Sequence, residues 1–232
     1  MDKKIWRNEI KYVCSEEELI QIESGIRHIC RLDPHADENG KYRVRSLYFD
    51  DYGDTCFWEN ENGITPRKKY RIRIYNENTD SIFMECKHKN RDRARKDFCR
   101  ITETECTNLM QGKFWLLHNK QEPLFQYFYT EMALRGFRPK VIVQYERTAY
   151  IYPVGNVRIT FDRNIAMSGR HKDFFKQHLP LRPIMPAGCH ILEVKYDELI
   201  PDFIYNAIQV SDLQQTNFSK YYISRKMKHM GI

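Results

Sequence analysis

From Pro66 to Lys89 the chain reads PRKKYRIRIYNENTDSIFMECKHK, and charged residues recur at every second position: Lys69, Arg71 and Arg73, then Glu85, Lys87 and Lys89. Alternation sends successive side chains to opposite faces of a strand, so these groups share one face while Tyr70, Ile72, Ile74, Met84, Cys86 and His88 take the other. Guanidinium and ammonium groups at that spacing bind oxyanions, the arginines as bidentate forks. A single charged strand face is ordinarily just solvated. Here the pattern repeats: Glu9 with Lys11, then Arg147, then Arg158 with Asp162, then Glu193 with Lys195. Brought together with Lys220, these cations outnumber the acids Glu9, Glu85, Asp162 and Glu193. An enclosed surface of that kind needs water and a polyanion to neutralise it, and a phosphate chain supplies the matching charge.

The elements that must position these residues follow from the rest of the chain. Residues 5–13 read as a first strand, followed by a helix with a Ser15–Glu18 capping box and a stripe of Leu19, Ile22, Ile26 and Ile29 or Cys30. A polar loop covers 33–41, a strand 42–50, and an acidic aromatic run after it forms a short helix or turn. Residues 76–80 (NENTD) turn the central hairpin, 91–95 (RDRAR) form a charged mobile connection, and 96–102 a further strand. Two helices occupy 104–136, with Gly136 as the stop and Pro139 barring continuation. Residues 140–150 and 156–165 form a second hairpin around Pro153 and Gly155. A loop containing Pro180, Pro183 and Pro186 leads to a strand at 190–196, and helices begin near Pro201 and at Ser219.

Strands with one apolar and one charged face, separated by helices with single apolar stripes, are satisfied by an α+β fold. In it an antiparallel sheet of about eight strands closes into a barrel, charged faces inward, with helices covering the apolar exterior. One domain spans 1–232, and Arg71, Arg73, Arg147 and Arg158 are expected to converge on one cavity.

Composition narrows the partners. With 41% hydrophobic and 30% charged residues the 232-residue chain folds, and its net charge of +7 implies an anionic partner. There is no RNP-like motif, and the aromatics mostly alternate away from the basic face, which argues against RNA; no DNA partner is expected. Seven cysteines without C-x-x-C spacing read as reduced thiols, with neither zinc site nor disulfide framework. The N-terminus lacks an apolar signal core, and no run approaches the ~20 apolar residues of a membrane span, so a cytoplasmic location is expected.

In order along the chain, NEIKY, SLYFD, KKYRIRIYN with MECKHK, QYERTAY, RITFD, ILEVKYDELIP and FSKYYISR together resemble the VTC-type (vacuolar transporter chaperone) polyphosphate polymerase domain of the triphosphate tunnel metalloenzyme, or CYTH-like, superfamily. The resemblance spans nearly the whole chain. It implies a tunnel that binds ATP and polyphosphate, with Mn²⁺ or Mg²⁺ as cofactor. Carried over by position, it implies that Arg71, Arg73, Lys87, Arg147 and Arg158 do the catalytic work on phosphates. Lys11, Lys69, Lys89, Lys96, Lys195 and Lys220 would add phosphate contacts, and Glu193 would anchor the metal. One departure matters: hydrolytic tunnel enzymes begin E-x-E-x-K, whereas this chain has Arg7, Glu9 and Lys11. Losing the first acid weakens two-metal hydrolysis and favours the polymerase branch. The SPX domain and membrane segments of eukaryotic relatives have no counterpart here, so a membrane partner would be encoded separately. The alternatives are a tripolyphosphate or nucleoside-triphosphate hydrolase of the same fold, and a non-catalytic module binding polyphosphate or RNA.

Overall fold

The structure, a computed structural model, describes residues 6–210 and 213–230. Its strands are β1 (Arg7–Ser15), β2 (Arg31–Leu32), β3 (Tyr42–Asp50), β4 (Arg67–Tyr75), β5 (Asn78–Asn90), β6 (Arg93–Ile101), β7 (Arg138–Tyr152), β8 (Val157–Ser168), β9 (Arg182–Pro183) and β10 (Cys189–Tyr196). Its helices are α1 (Glu16–Ile26), α2 (Thr55–Glu61), α3 (Glu103–Met110), α4 (Pro123–Arg135), α5 (Asp202–Ile208) and α6 (Lys220–His229). Antiparallel pairing runs β7-β3-β4-β5-β6-β1-β10-β8 and returns from β8 to β7, closing an eight-stranded barrel; β2 and β9 extend it outside β7 and β8. Among the described residues the seam between β1 and β6 is the shortest in the ring, paired through Arg7–Ala94 and Asn8–Arg93.

The barrel is apolar outside and charged inside, because strand parity leaves no other choice. On β4, Tyr70, Ile72 and Ile74 are buried against the helical layer, where the Tyr70 and Phe49 rings lie 5.1 and 5.0 Å from Phe128 of α4. A second cluster puts Leu19, Ile22 and Ile26 of α1 and Ile204 and Ile208 of α5 over β1, β8 and β10. Each such side chain contributes about 1.5–3 kcal/mol by leaving water. Helix ends are set locally. Ser15 and Glu18 form the expected capping box on α1, and α4 stops where Gly136 adopts φ 64°. Among the described residues no helix is long and apolar enough to cross a membrane.

Several boundaries differ from expectation. The central turn is tighter than 76–80: Asn76 and Glu77 both take positive φ (50° and 54°) and β5 begins at Asn78, the two-residue hairpin geometry that matches strand twist. The RDRAR segment is no mobile connection. Only Arg91 and Asp92 turn the chain, and Arg93 and Ala94 already pair with Asn90 and Lys89. Pro139 lies inside β7 rather than before it, tolerated because the register with β3 shifts there. The first strand runs to Ser15, and the expected start at residue 5 lies outside the described residues. The proline-rich loop contains a 3-10 turn (His171–Asp173) and the short β9.

Candidate active site

Inside the barrel lies a cavity of about 400 Å³. Lys69, Arg71 and Arg73 of β4, Lys87 and Lys89 of β5 and Lys96 of β6 line it, together with Arg147 of β7, Arg158 of β8, Glu193 and Lys195 of β10, Lys11 of β1 and Lys220 of α6. Every residue singled out for phosphate or metal contact therefore faces one space. The four arginines expected to converge do so from three strands.

Most of these cations are balanced by buried carboxylates. Glu85 accepts from Arg71 Nε at 2.6 Å and from Lys96 Nζ at 2.8 Å. Asp162 takes the Arg147 fork at 2.6 and 2.8 Å and Lys220 at 2.6 Å. Lys87 donates to both oxygens of Glu9 at 2.7 Å, and Lys11 and Lys195 each bridge Glu9 and Glu193. Burial alone would push Glu9 and Glu193 up, but Lys11, Lys87 and Lys195 keep both carboxyls well below the usual range. Arg73 is different. Its Nε and Nη2 donate to the hydroxyls of Ser46 (3.2 Å) and Tyr145 (3.3 Å), and Glu85 is 3.7 Å from Nη1. Arg7 sits at the rim, bonded to the carbonyl of Asn156 and 3.0 Å from Asp197.

Residues that strand alternation did not single out complete the wall. Tyr48 shares parity with its cross-strand partner Arg71 and accepts from it at 3.1 Å, and Tyr145 shares parity with Arg147; the SLYFD and QYERTAY stretches carried both signals. Asn60 and Ser219, which line the cavity, come from a helix and a helix cap, and Asp33, the partner of Arg158, comes from a loop; alternation says nothing there. Asp33 is buried and binds Arg158, which also donates to Tyr42 OH at 2.9 Å. Burial works to raise the Asp33 carboxyl, but bonds from His35 and the Arg158 charge hold it below the ordinary range. A carboxyl depressed on folding stabilises above its unfolded value, and that contribution is lost as pH falls. Asp33→Asn should therefore cost about 1–3 kcal/mol in urea unfolding at neutral pH, and the gap to wild type should close below the ordinary Asp value of ~3.9. Equal stability of the two proteins at pH 7 would show that the contact carries no weight.

The donor set suits a hard divalent cation. Glu9 and Glu193 present carboxylate oxygens to the cavity and share two lysines. No group of three or more His, Cys, Asp or Glu suited to a metal exists among the described residues. Mg²⁺-type ions are commonly held by one or two carboxylates with substrate phosphates completing the shell, and this pair fits that mode.

A family model described as the VTC domain matches residues 6–229. No curated protein matches the chain. Among solved structures, the fold resembles a putative adenylyl cyclase from Hippeastrum, described as revealing a dominant triphosphatase activity, at 11% identity with 95% of each chain covered and a TM-score of 0.57. It also resembles a putative adenylate cyclase from Bacillus halodurans at 13% identity, covering 90% of this chain and 88% of that one, with a TM-score of 0.53. At such identities the likeness is one of fold.

Proposed function

Because the chain belongs to the VTC-domain family, we propose that it is a polyphosphate polymerase that moves the γ-phosphoryl group of ATP onto a polyphosphate chain inside the barrel. The observation that carries this reading is the pairing of Arg7 with Asp197 at the rim, where a hydrolytic tunnel enzyme would have a carboxylate. Glu9 and Glu193 are then the acids left to hold a cation, and a second ion that would orient water lacks its ligand.

The chemistry asks little of a protein base. A terminal phosphate oxygen of the acceptor is already a nucleophile near neutral pH; it forms a new P–O bond as the bond from γ-phosphorus to the β–γ bridging oxygen breaks, and ADP leaves. Positioning and charge neutralisation remain. Arg71, Arg73 and Arg147 clamp the ATP phosphates, Lys11, Lys87 and Lys195 surround the reacting region, and Lys220 reaches in from α6. A Mn²⁺ or Mg²⁺ ion on Glu193 and Glu9 would supply Lewis-acid polarisation of phosphoryl oxygens.

A hydrolase reading is favoured by the Hippeastrum protein, which has this fold and is described as a triphosphatase. Purified protein incubated with ATP and Mn²⁺, resolved on a polyphosphate gel beside a phosphate-release assay, separates the two readings: a ladder supports the polymerase, orthophosphate alone the hydrolase. Arg7→Glu, compared with Arg7→Gln to allow for the lost Asp197 pair, should raise the orthophosphate share roughly tenfold if the new acid helps orient water. An unchanged product ratio would mean that this position does not set the outcome.

A further inference from the structure

Away from the cavity, a second group of cations gathers around one carboxylate, where the start of β7, the turn at His171–Asp173 and the last turn of α6 come together. Asp54, just ahead of α2, accepts from Lys140 Nζ at 2.6 Å and from Arg225 Nη2 at 2.7 Å. His229 Nε2 lies 3.1 Å from that Nη2 and 3.7 Å from the carboxylate. Asp54 is thereby fully engaged. Lys228, whose Nζ stands 3.9 Å from where a Cβ on Gly169 would be, has no carboxylate partner among the described residues. Two buried nitrogens here also lack a partner: Arg225 Nε and His171 Nε2. Lys140 and Arg225 are only 8% and 5% exposed, so they are not cations merely solvated at a surface. None of these residues lines the barrel cavity. Buried polar groups without partners are costly, and three cations facing one acid leave a surplus charge that calls for an anion.

We propose that this cluster is a separate binding site for one inorganic phosphate ion, held by Arg225 Nε, Lys228 Nζ and the His171 imidazole. Three convergent donors suit the oxygens of a tetrahedral dianion better than the two of a planar carboxylate. The site is also distinct in space. Lys220, the residue of α6 that reaches the cavity, begins the helix that Lys228 nearly ends, about 12 Å away at 1.5 Å per residue. One phosphate ion cannot serve both ends.

Occupancy has a readable signature. Burial, then the charges of Lys228 and Arg225 on α6 and of Lys140 on β7, hold the His171 imidazole below its ordinary value, opposed by a bond to the Lys140 backbone. Burial, Arg225 and Lys140 likewise lower the Lys228 ammonium, with Asp54 opposing. A bound dianion favours both charged forms. His171 therefore takes up a proton as the site fills, and its titration moves to higher pH.

The test follows the imidazole Cε1–H resonance of His171 by NMR in the full chain, identified by its loss in His171→Gln. Sodium phosphate is titrated near neutral pH, with ionic strength held constant by chloride so that general screening is the same throughout. No histidine lines the cavity, so the resonance reports this cluster and not the barrel interior. The signal should move towards the imidazolium position and saturate at millimolar phosphate, with the titration midpoint of His171 raised by about one pH unit. Lys228→Met removes no ion pair and relieves repulsion, so the protein should fold and bind phosphate roughly tenfold more weakly. Lys87→Met, which lowers the charge of the cavity instead, should leave the response within about twofold of wild type. A resonance that does not move, wild-type affinity in Lys228→Met, or equal weakening in Lys87→Met would each overturn the proposal. No turnover is measured, so the outcome stands apart from the choice between polymerase and hydrolase.

Discussion

Glu193→Gln is expected to abolish metal-dependent turnover while leaving the barrel folded. The amide keeps the carboxylate's shape but not the charge that binds a divalent ion. Electrostatic stabilisation by such an ion is worth several kcal/mol, so the rate should fall on the order of 10³-fold. Folding should survive because the lysines sharing Glu193 keep another acid: Lys11 also pairs with Glu9, and Lys195 lies 3.7 Å from it. The thermal midpoint should move by only a few degrees. Polyphosphate binding measured without metal should persist. Undiminished turnover across a Mn²⁺ titration would remove Glu193 from the metal site.

Arg73→Ala should be the most damaging of the arginine replacements, lowering kcat on the order of 10³-fold, as for other arginines aimed at a transferred phosphoryl group. The reason lies in competition. Glu85 is committed to Arg71 and Lys96 at 2.6 and 2.8 Å and stands 3.7 Å from Arg73, whose hydrogen bonds go instead to neutral hydroxyls that yield to phosphate oxygens. Removing Arg73 also strands no carboxylate, so the loss should appear in kcat and not in stability. Arg158→Ala should cost only roughly tenfold, because buried Asp33 already holds that guanidinium at the cavity wall. Comparable kcat losses in the two variants would show that the Asp33 contact does not hold Arg158 back from phosphate.

Much of this site was legible in strand parity. Once Lys69, Arg71 and Arg73 share a face and Tyr70, Ile72 and Ile74 the other, helices over the apolar face force the charges inward, and the same logic placed Lys11, Arg147, Arg158 and Glu193. The counter-charges were only partly legible. Glu9, Glu85, Asp162 and Glu193 sit on the same strand faces as the cations, but Asp33 leaves a loop, and its partnership with Arg158 spans 125 positions in sequence. Asn60 and Ser219 reach Lys69 from helix ends, whose approach to the barrel depends on tertiary contacts such as the Tyr221 hydroxyl bond to buried Asp50. Turns were misjudged where composition outweighed pairing. Arg93 to Arg95 look like a solvated linker, yet the edge of β5 offers them hydrogen bonds, and a sheet closing on itself cannot leave that edge open.

The central claim is that a phosphate chain, and not water, attacks the γ-phosphorus. The most direct measurement is a phosphate balance with ATP and Mn²⁺ or Mg²⁺: ADP released, orthophosphate released, and phosphate recovered in chains longer than three, followed over one time course. The account predicts that chain phosphate tracks ADP while orthophosphate stays a minor product. Orthophosphate rising in step with ADP, with no chain longer than the substrate's own triphosphate, would contradict it and leave a hydrolase in its place.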